Sequence, residues 1–260
     1  MIIFNFAIIF IFGLIIGSFL NCVIWRLYKE EKITGRSYCP KCRHQLAWYE
    51  NIPVFSFLFL RGKCGHCQGR ISWQYPLVEL ITAMLFSCSF YLISAQFPIS
   101  NFQFLISLFK YWFLISIMII IFVIDLRWYL ILDIITLPAC LIIFIVNILL
   151  GQNWLNLLIS GIIGGSFFLL QFLISKGKWI GGGDIRMGLL MGLALGWPNV
   201  IVALMLAYLL GSIIGLSLIL IGKKKWGSQV PMGIFLSTAT VIALFFGGRI
   251  MAWYLGLSGF

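Results

Sequence analysis

The sequence predicts an all-α polytopic membrane protein of about eight transmembrane helices, with a small cysteine-rich cytoplasmic domain between the first and second. Three observations predict this class. The 260-residue chain is 62% hydrophobic and only 10% charged, with a mean hydropathy of +1.08. Apolar runs of about 20 residues recur, the length a helix needs to cross a bilayer while satisfying its own backbone. A single sizeable polar stretch interrupts them at residues 26–75, and it holds four cysteines in two Cys-x-x-Cys pairs. The net charge of +11 is spread over several loops, so it marks cytoplasmic loops and argues against nucleic-acid binding.

Residues 2–25 form the first span. No positive charge precedes them and Arg26 follows, the reverse of a secretory leader. The segment is therefore expected to be retained, with its N-terminus outside. The domain plan is a first transmembrane helix (1–25), a cytoplasmic domain (26–75) and a transmembrane domain (76–260).

The 26–75 segment is too short for a large core and needs a staple. Cys39-Pro-Lys-Cys42 and Cys64-Gly-His-Cys67 have the paired-knuckle spacing of a structural Zn²⁺ site. Two disulfides are the other reading, disfavoured by a reducing cytoplasm. His44 and His66 read as exposed bystanders. Between the knuckles, Trp48 to Phe57 is rich in aromatics and too short to span. It fits either an interfacial segment lying on the membrane or the core of the metal domain. Cys22, Cys88 and Cys140 read as inert core residues.

Pro76 opens the second span, to about Ala95, and Glu79 reads as a first-turn acid favoured by the helix dipole. After an outer loop, Gln96 to Gln103, a third span runs to about Ile124 and ends in the interfacial belt Asp125, Arg127, Trp128 and Tyr129. Asp133 precedes a fourth span, from about Ile134 to Leu150. A fifth ends near Ser175, where Lys176 and Lys178 mark the cytoplasm; its Gly161, Gly164, Gly165 and Ser166 permit close helix packing. From Ile185 to Ile221 the apolar run breaks at Gly196-Trp197-Pro198-Asn199. Two crossings, the first of them short, keep Lys223, Lys224 and Lys225 inside. A last span, from about Val230 to Tyr254, ends outside, and no internal repeat is evident.

The chemistry must come from few groups. Both histidines lie in the polar segment, which argues against a membrane-embedded Ser-His-Asp triad or a His-Glu-x-x-His metalloprotease. Of the seven acids, Glu30, Glu31 and Glu50 are in that segment, whereas Glu79, Asp125, Asp133 and Asp184 lie in or beside apolar runs. Asp184 follows three glycines, Gly181 to Gly183, which can adopt positive φ and admit another backbone. The span count puts Asp184 and Asp125 on one membrane face. Two neighbouring carboxyls share a proton; the ionised one activates water and the protonated one polarises a peptide carbonyl. Asp125 and Asp184 are the candidate pair, with Asp133 as a possible substitute for Asp125. The competing readings are a structural network with Arg127, Arg186 or Lys178, and a transporter or channel using the acids as cation ligands.

The order of motifs resembles one family over nearly the whole chain. Gly17-Ser18-Phe19-Leu20-Asn21-Cys22-Val23-Ile24-Trp25-Arg26-Leu27 comes first, followed by the two cysteine pairs enclosing Asn51-Ile52-Pro53, and then Tyr75-Pro76-Leu77-Val78-Glu79. Asp125-Leu126-Arg127 follows, with Asp133 and Thr136-Leu137-Pro138 beyond it. Gly181-Gly182-Gly183-Asp184 and Gln229-Val230-Pro231-Met232-Gly233-Ile234-Phe235-Leu236 close the series. This pattern resembles the type IV prepilin peptidases, bacterial membrane aspartic proteases of the GxGD type. The resemblance implies catalytic Asp125 and Asp184, and cleavage of prepilin and pseudopilin leaders at the cytoplasmic face of the inner membrane. The cut would follow Gly and precede an aromatic residue or Met. It further implies N-methylation of the new terminus with S-adenosylmethionine, associated with the cytoplasmic region that carries the cysteine metal site. No residue is assigned to the methyl donor, since no Rossmann-type cradle is evident. The chain departs from the family at Leu132, where Pro is frequent, at Arg186, where Lys is common, and at Met232 and Ile234; none of these removes a proposed catalytic group.

Overall fold

The structure is a computed structural model describing residues 2–99, 101–224 and 230–257. Lys225 and Gln229 fall outside them. The helices are α1 (Ile2–Tyr28), α2 (Phe55–Phe59), α3 (Gln74–Ser94), α4 (Phe102–Trp128), α5 (Asp133–Leu149), α6 (Trp154–Ser175), α7 (Gly182–Leu195), α8 (Asn199–Leu220) and α9 (Met232–Leu257). Among the described residues there is no strand, only two isolated bridges.

Six helices, α1, α3, α4, α6, α8 and α9, are long and apolar enough to cross a membrane. Helices α5 and α7 fall where two further spans were expected but have only 17 and 14 residues. At 1.5 Å per residue they reach about 25 and 21 Å, short of the roughly 30 Å hydrocarbon core.

The chain divides into two compact units, Met1–Phe104 and Leu105–Phe260. In the first, α1 lies against α3 along Gly13 and Gly17. A Cβ at these positions would come within 2.5 Å of Ala83 Cα and 2.6 Å of Glu79 Cα. Lipid offers no hydrophobic drive for helix pairing, so backbone approach over small residues supplies the contact. Asn21 at the end of this seam donates to the Tyr75 carbonyl at 3.1 Å. Arg26 is buried at the polar end of α1, where its guanidinium donates to the carbonyls of Ile33, Gly35 and Arg36 and so folds the chain back.

Two expectations are corrected in this unit. Helix α3 begins at Gln74, so Glu79 lies beyond the first turn and does not serve the helix dipole. It is buried and accepts hydrogen bonds from the Val54 N–H, at 2.7 Å, and from Ser18. Cys88 is exposed and Cys22 only half-buried; of the three isolated cysteines, Cys140 alone is in a core.

In the second unit α7 occupies the middle, packed against α5, α6, α8 and α9. Met187, Leu190 and Met191 are its fully buried face, with Leu114 and Met118 of α4 and Leu236 of α9 in the same core. Helices α6 and α7 cross backbone to backbone. A Cβ on Gly164 would lie 2.2 Å from the Gly188 carbonyl oxygen, and one on Gly192 would lie 2.1 Å from that of Ser160. The far end of α7 is also held: Asn147, wholly buried on α5, donates to the Leu193 and Ala194 carbonyls at 2.7 and 3.3 Å. These are carbonyls a helix end leaves without intrahelical partners.

The crossing yields a test. Gly188→Leu or Gly192→Val forces backbone apart and is expected to cost about 3 kcal/mol or more, beyond ordinary core overpacking. Gly215→Ala, where a Cβ meets nothing within 4 Å, is expected to be neutral. Thermal unfolding of the purified variants in detergent checks the contrast.

Candidate active site

Three helix ends of the second unit build the site. At the first, Gly181 is the extended N-cap of α7 (φ −79°, ψ 156°), and Asp184 reaches back so that Oδ2 accepts the Gly181 N–H at 3.1 Å. The N–H groups opening a helix lack intrahelical partners and favour an acid there. None of the three glycines takes positive φ, contrary to the sequence reading. Their value is space, and only at one position. A Cβ on Gly183 would lie 2.7 Å from Ile131 Cβ, whereas one on Gly182 would meet nothing within 4 Å.

The second end is the C-terminus of α4. Asp125 lies in its last turn, after which Tyr129 at φ +57° turns the chain out of the helix into the irregular stretch 129–132. The third is the N-terminus of α9. Asp125 Oδ2 accepts the Ile234 N–H at 3.1 Å and is bonded by the Gly233 N–H as well. A Cβ on Gly233 would come within 2.7 Å of that oxygen. Asp125 therefore caps a helix that starts more than a hundred residues later. The sequence reading did not find this role for Gly233 and Ile234; the available signal was Pro231, directly before a new apolar helix.

Asp125 and Asp184 are both buried, at 4% and 7% exposure, and line one cavity of about 620 Å³. Tyr129, Ile131, Lys178, Trp179, Pro231 and Met232 are among its other walls. No hydrogen bond joins the two carboxyls directly; each has one oxygen committed to backbone, leaving the other for a reacting group. Asp133 does not line this cavity. It sits at the start of α5 in a partly exposed ion pair with Arg186 of α7, so the structural reading holds for that acid.

The first unit carries the cysteine cluster. The four thiols of Cys39, Cys42, Cys64 and Cys67 lie within 4.8 Å of one another, with Cys39 and Cys67 at 4.0 Å. Four sulfurs arranged tetrahedrally around a metal at 2.3 Å would be about 3.8 Å apart, so the set fits such an ion with little movement. The two knuckles repeat one geometry. Tyr38 bridges Gln45 as Lys63 bridges Arg70, and the residue after each second cysteine, Arg43 or Gln68, has positive φ. Burial opposes ionisation of Cys39, but the Cys42 and Lys41 N–H groups and neighbouring thiols outweigh it and bring it down to about 7. His44 and His66 are exposed and stack on each other, with ring centroids 4.6 Å apart, outside the cluster.

Comparison with known proteins bears on both units. The model of the bacterial peptidase A24 N-terminal domain matches residues 11–93, and that of the type IV leader peptidase family matches residues 112–216. A prepilin leader peptidase/N-methyltransferase of Aeromonas salmonicida is 33% identical, over 96% of this chain and 94% of that protein. The chain belongs to the type IV leader peptidase family. Proteins of the same name from Bacillus subtilis and Pseudomonas aeruginosa are 32% and 31% identical over 97% and 95% of the chain, covering 98% and 92% of their own lengths. No solved structure matches. Helix α9, which supplies the donors to Asp125, begins beyond the matched 112–216 segment.

For a leader peptidase this geometry makes the glycines unequal. Gly182→Ala is expected to leave cleavage unchanged. Gly183→Ala must displace Ile131 and is expected to lower the rate about ten- to a hundredfold, the scale of a small misplacement of catalytic groups. Adding Ile131→Gly to Gly183→Ala is expected to restore part of the loss, read as a double-mutant cycle in initial cleavage rates.

Proposed function

We propose that the chain is a membrane aspartic endopeptidase that removes the leader from type IV prepilins or pseudopilins, with Asp125 and Asp184 as its catalytic pair. The observation that carries the residue assignment is the meeting of these two buried acids, from α4 and α7, in one cavity, each steered by N–H groups at a helix start. One of the two carboxyls is ionised and the other protonated when the substrate is bound. The ionised carboxylate takes a proton from a water, whose oxygen bonds to the scissile carbonyl carbon. The protonated carboxyl gives its proton to the carbonyl oxygen. Return of a proton to the amide nitrogen lets the C–N bond break, which yields the leader carboxylate and a new amino terminus. A rival reading as a cation transporter has no supporting observation: the one further acid near these helices, Asp133, is satisfied by Arg186.

In this reading α5 and α7 also cross the bilayer as short helices among longer ones, giving eight spans. In the same reading the N-terminus is outside, and the 26–75 segment and the acid pair are on the cytoplasmic side of a bacterial inner membrane; the distribution of Lys and Arg supports this orientation. The cysteine set takes Zn²⁺ as a structural ion: four thiolates at tetrahedral spacing suit it, and it has no redox chemistry. N-methyltransferase is the second activity in the relatives' printed name; in this reading the new terminus is the acceptor and S-adenosylmethionine the methyl donor.

Asp125→Asn and Asp184→Asn keep the size and one acceptor oxygen of each side chain. Each is expected to fold as the parent does and to lower prepilin cleavage by about 10³-fold or more. Mass analysis of a purified prepilin after incubation reads the outcome, and near-parental processing by both variants refutes the pair. The purified chain is expected to hold one Zn²⁺, lost in Cys64→Ser and released as pH falls and the thiolates protonate. Elemental analysis alongside thiol alkylation checks this.

A further inference from the structure

An apolar surface on the first unit lies outside any membrane-spanning helix. The turn Trp48–Asn51 and the short helix α2 (Phe55–Phe59) carry Trp48 at 78% exposure, Phe59 at 83%, and exposed Tyr49, Phe55 and Leu58. Of this run only Phe57 turns inward. A segment between two polar knuckles, in a chain with few polar residues to spare, thus presents its largest side chains outward. Large exposed apolar patches of this kind mark surfaces that something covers.

Two contacts fix where the patch sits. The Val54 N–H, at the start of α2, is bonded at 2.7 Å to Glu79, in the second turn of the candidate membrane helix α3. Phe57 rests on Trp73, the residue capping α3, with ring centroids 4.8 Å apart. The patch is thereby pinned level with the polar end of a membrane helix. It also continues the outward apolar face of that candidate membrane helix: Trp73, Leu77, Ile81 and Met84 are exposed in succession along α3. Its composition suits that depth, since Trp and Tyr prefer the headgroup level. The segments flanking it in sequence are basic: Lys41 and Arg43 precede it and Arg61, Lys63 and Arg70 follow it, all exposed.

We infer that the 48–59 face is a lipid-interface anchor: its aromatic side chains enter the acyl margin of the bilayer that α3 crosses, and the flanking Lys and Arg hold anionic headgroups. The occupant is the protein's own membrane. Neither the acid pair nor its substrate enters the inference, so it stands or falls separately from proteolysis. The anchor fixes the cysteine cluster against the bilayer surface and keeps it from swinging on a loop, with the buried Glu79–Val54 bond as the hinge pin.

The test uses the whole purified chain in nanodiscs of phosphatidylethanolamine and phosphatidylglycerol doped with a phospholipid carrying a diazirine on its acyl chain. After irradiation, trypsin cuts at Arg43 and Arg61 and frees His44–Arg61, while Ile71–Lys110 reports on α3 and Cys64–Arg70 on a knuckle. Label on His44–Arg61 at the level of Ile71–Lys110, with little on Cys64–Arg70, is the expected result. The exposed double variant Phe55→Ser/Phe59→Ser is expected to lose the label on His44–Arg61 while keeping it on Ile71–Lys110, with unchanged metal content showing that the cysteine cluster still folds. Replacing phosphatidylglycerol with a zwitterionic lipid is expected to reduce the label on His44–Arg61 alone; no reduction overturns the headgroup half of the inference. An unlabelled His44–Arg61 beside a labelled Ile71–Lys110 overturns the whole, as does its cross-linking to a second copy or to added prepilin in place of lipid.

Discussion

A carboxylate inside an apolar protein needs hydrogen-bond donors, and a helix start has N–H groups without partners. In this chain the two needs answer each other twice. Asp184 turns back onto the Gly181 N–H at the head of its own helix, and Asp125 reaches from the tail of α4 onto the head of α9. These bonds decide the layout of the second unit. They bring three helix ends to one place, set both acids facing a single cavity, and leave each carboxyl with one oxygen to spare. Nothing else polar is required at that depth, which is why a chain with so few charges can still carry reactive groups.

The rest of the unit serves to hold α7 where this arrangement needs it. A 14-residue helix has too little surface to be fixed by ordinary side-chain packing in lipid, where the hydrophobic effect gives no preference between a neighbour and an acyl chain. Backbone contact with α6 through Gly164, Gly188 and Gly192 supplies close dispersion instead, and Asn147 takes up the carbonyls at the other end. The same device recurs in the first unit, where Gly13 and Gly17 seat α1 on α3 and the buried Glu79 ties the cysteine segment to that pair.

The sequence made the long helices legible because a span of 20 or so apolar residues has few other uses. It also exposed the cysteine set, whose spacing is local, and the two acids, which stand out by their rarity. What it hid was tertiary. Glu79 looked like a dipole partner because Pro76 looked like a helix start; the helix begins at Gln74, and the partner is the distant Val54. The glycines before Asp184 looked like a source of positive φ, and their true constraint, the closeness of Ile131 to Gly183, joins residues some fifty positions apart. Cys88 sat in an apolar run like Cys140, and only the packing distinguishes an outward residue from an inward one. Helices α5 and α7 read as spans from their apolar composition, and their shortness, 17 and 14 residues, emerges only once the helix ends are fixed by the packing.

Asp125 leaning on α9 bears on where the working unit ends. By sequence similarity the peptidase segment runs over residues 112–216, and both acids lie within it. By electrostatics it runs further, because the donors that steer Asp125 are at residues 233 and 234. A fragment trimmed to that segment would keep both acids and would leave one of them without the donors that orient it. The last helix, which carries no ionisable group at the cavity, is in this sense the mount on which half of the reactive pair is fixed.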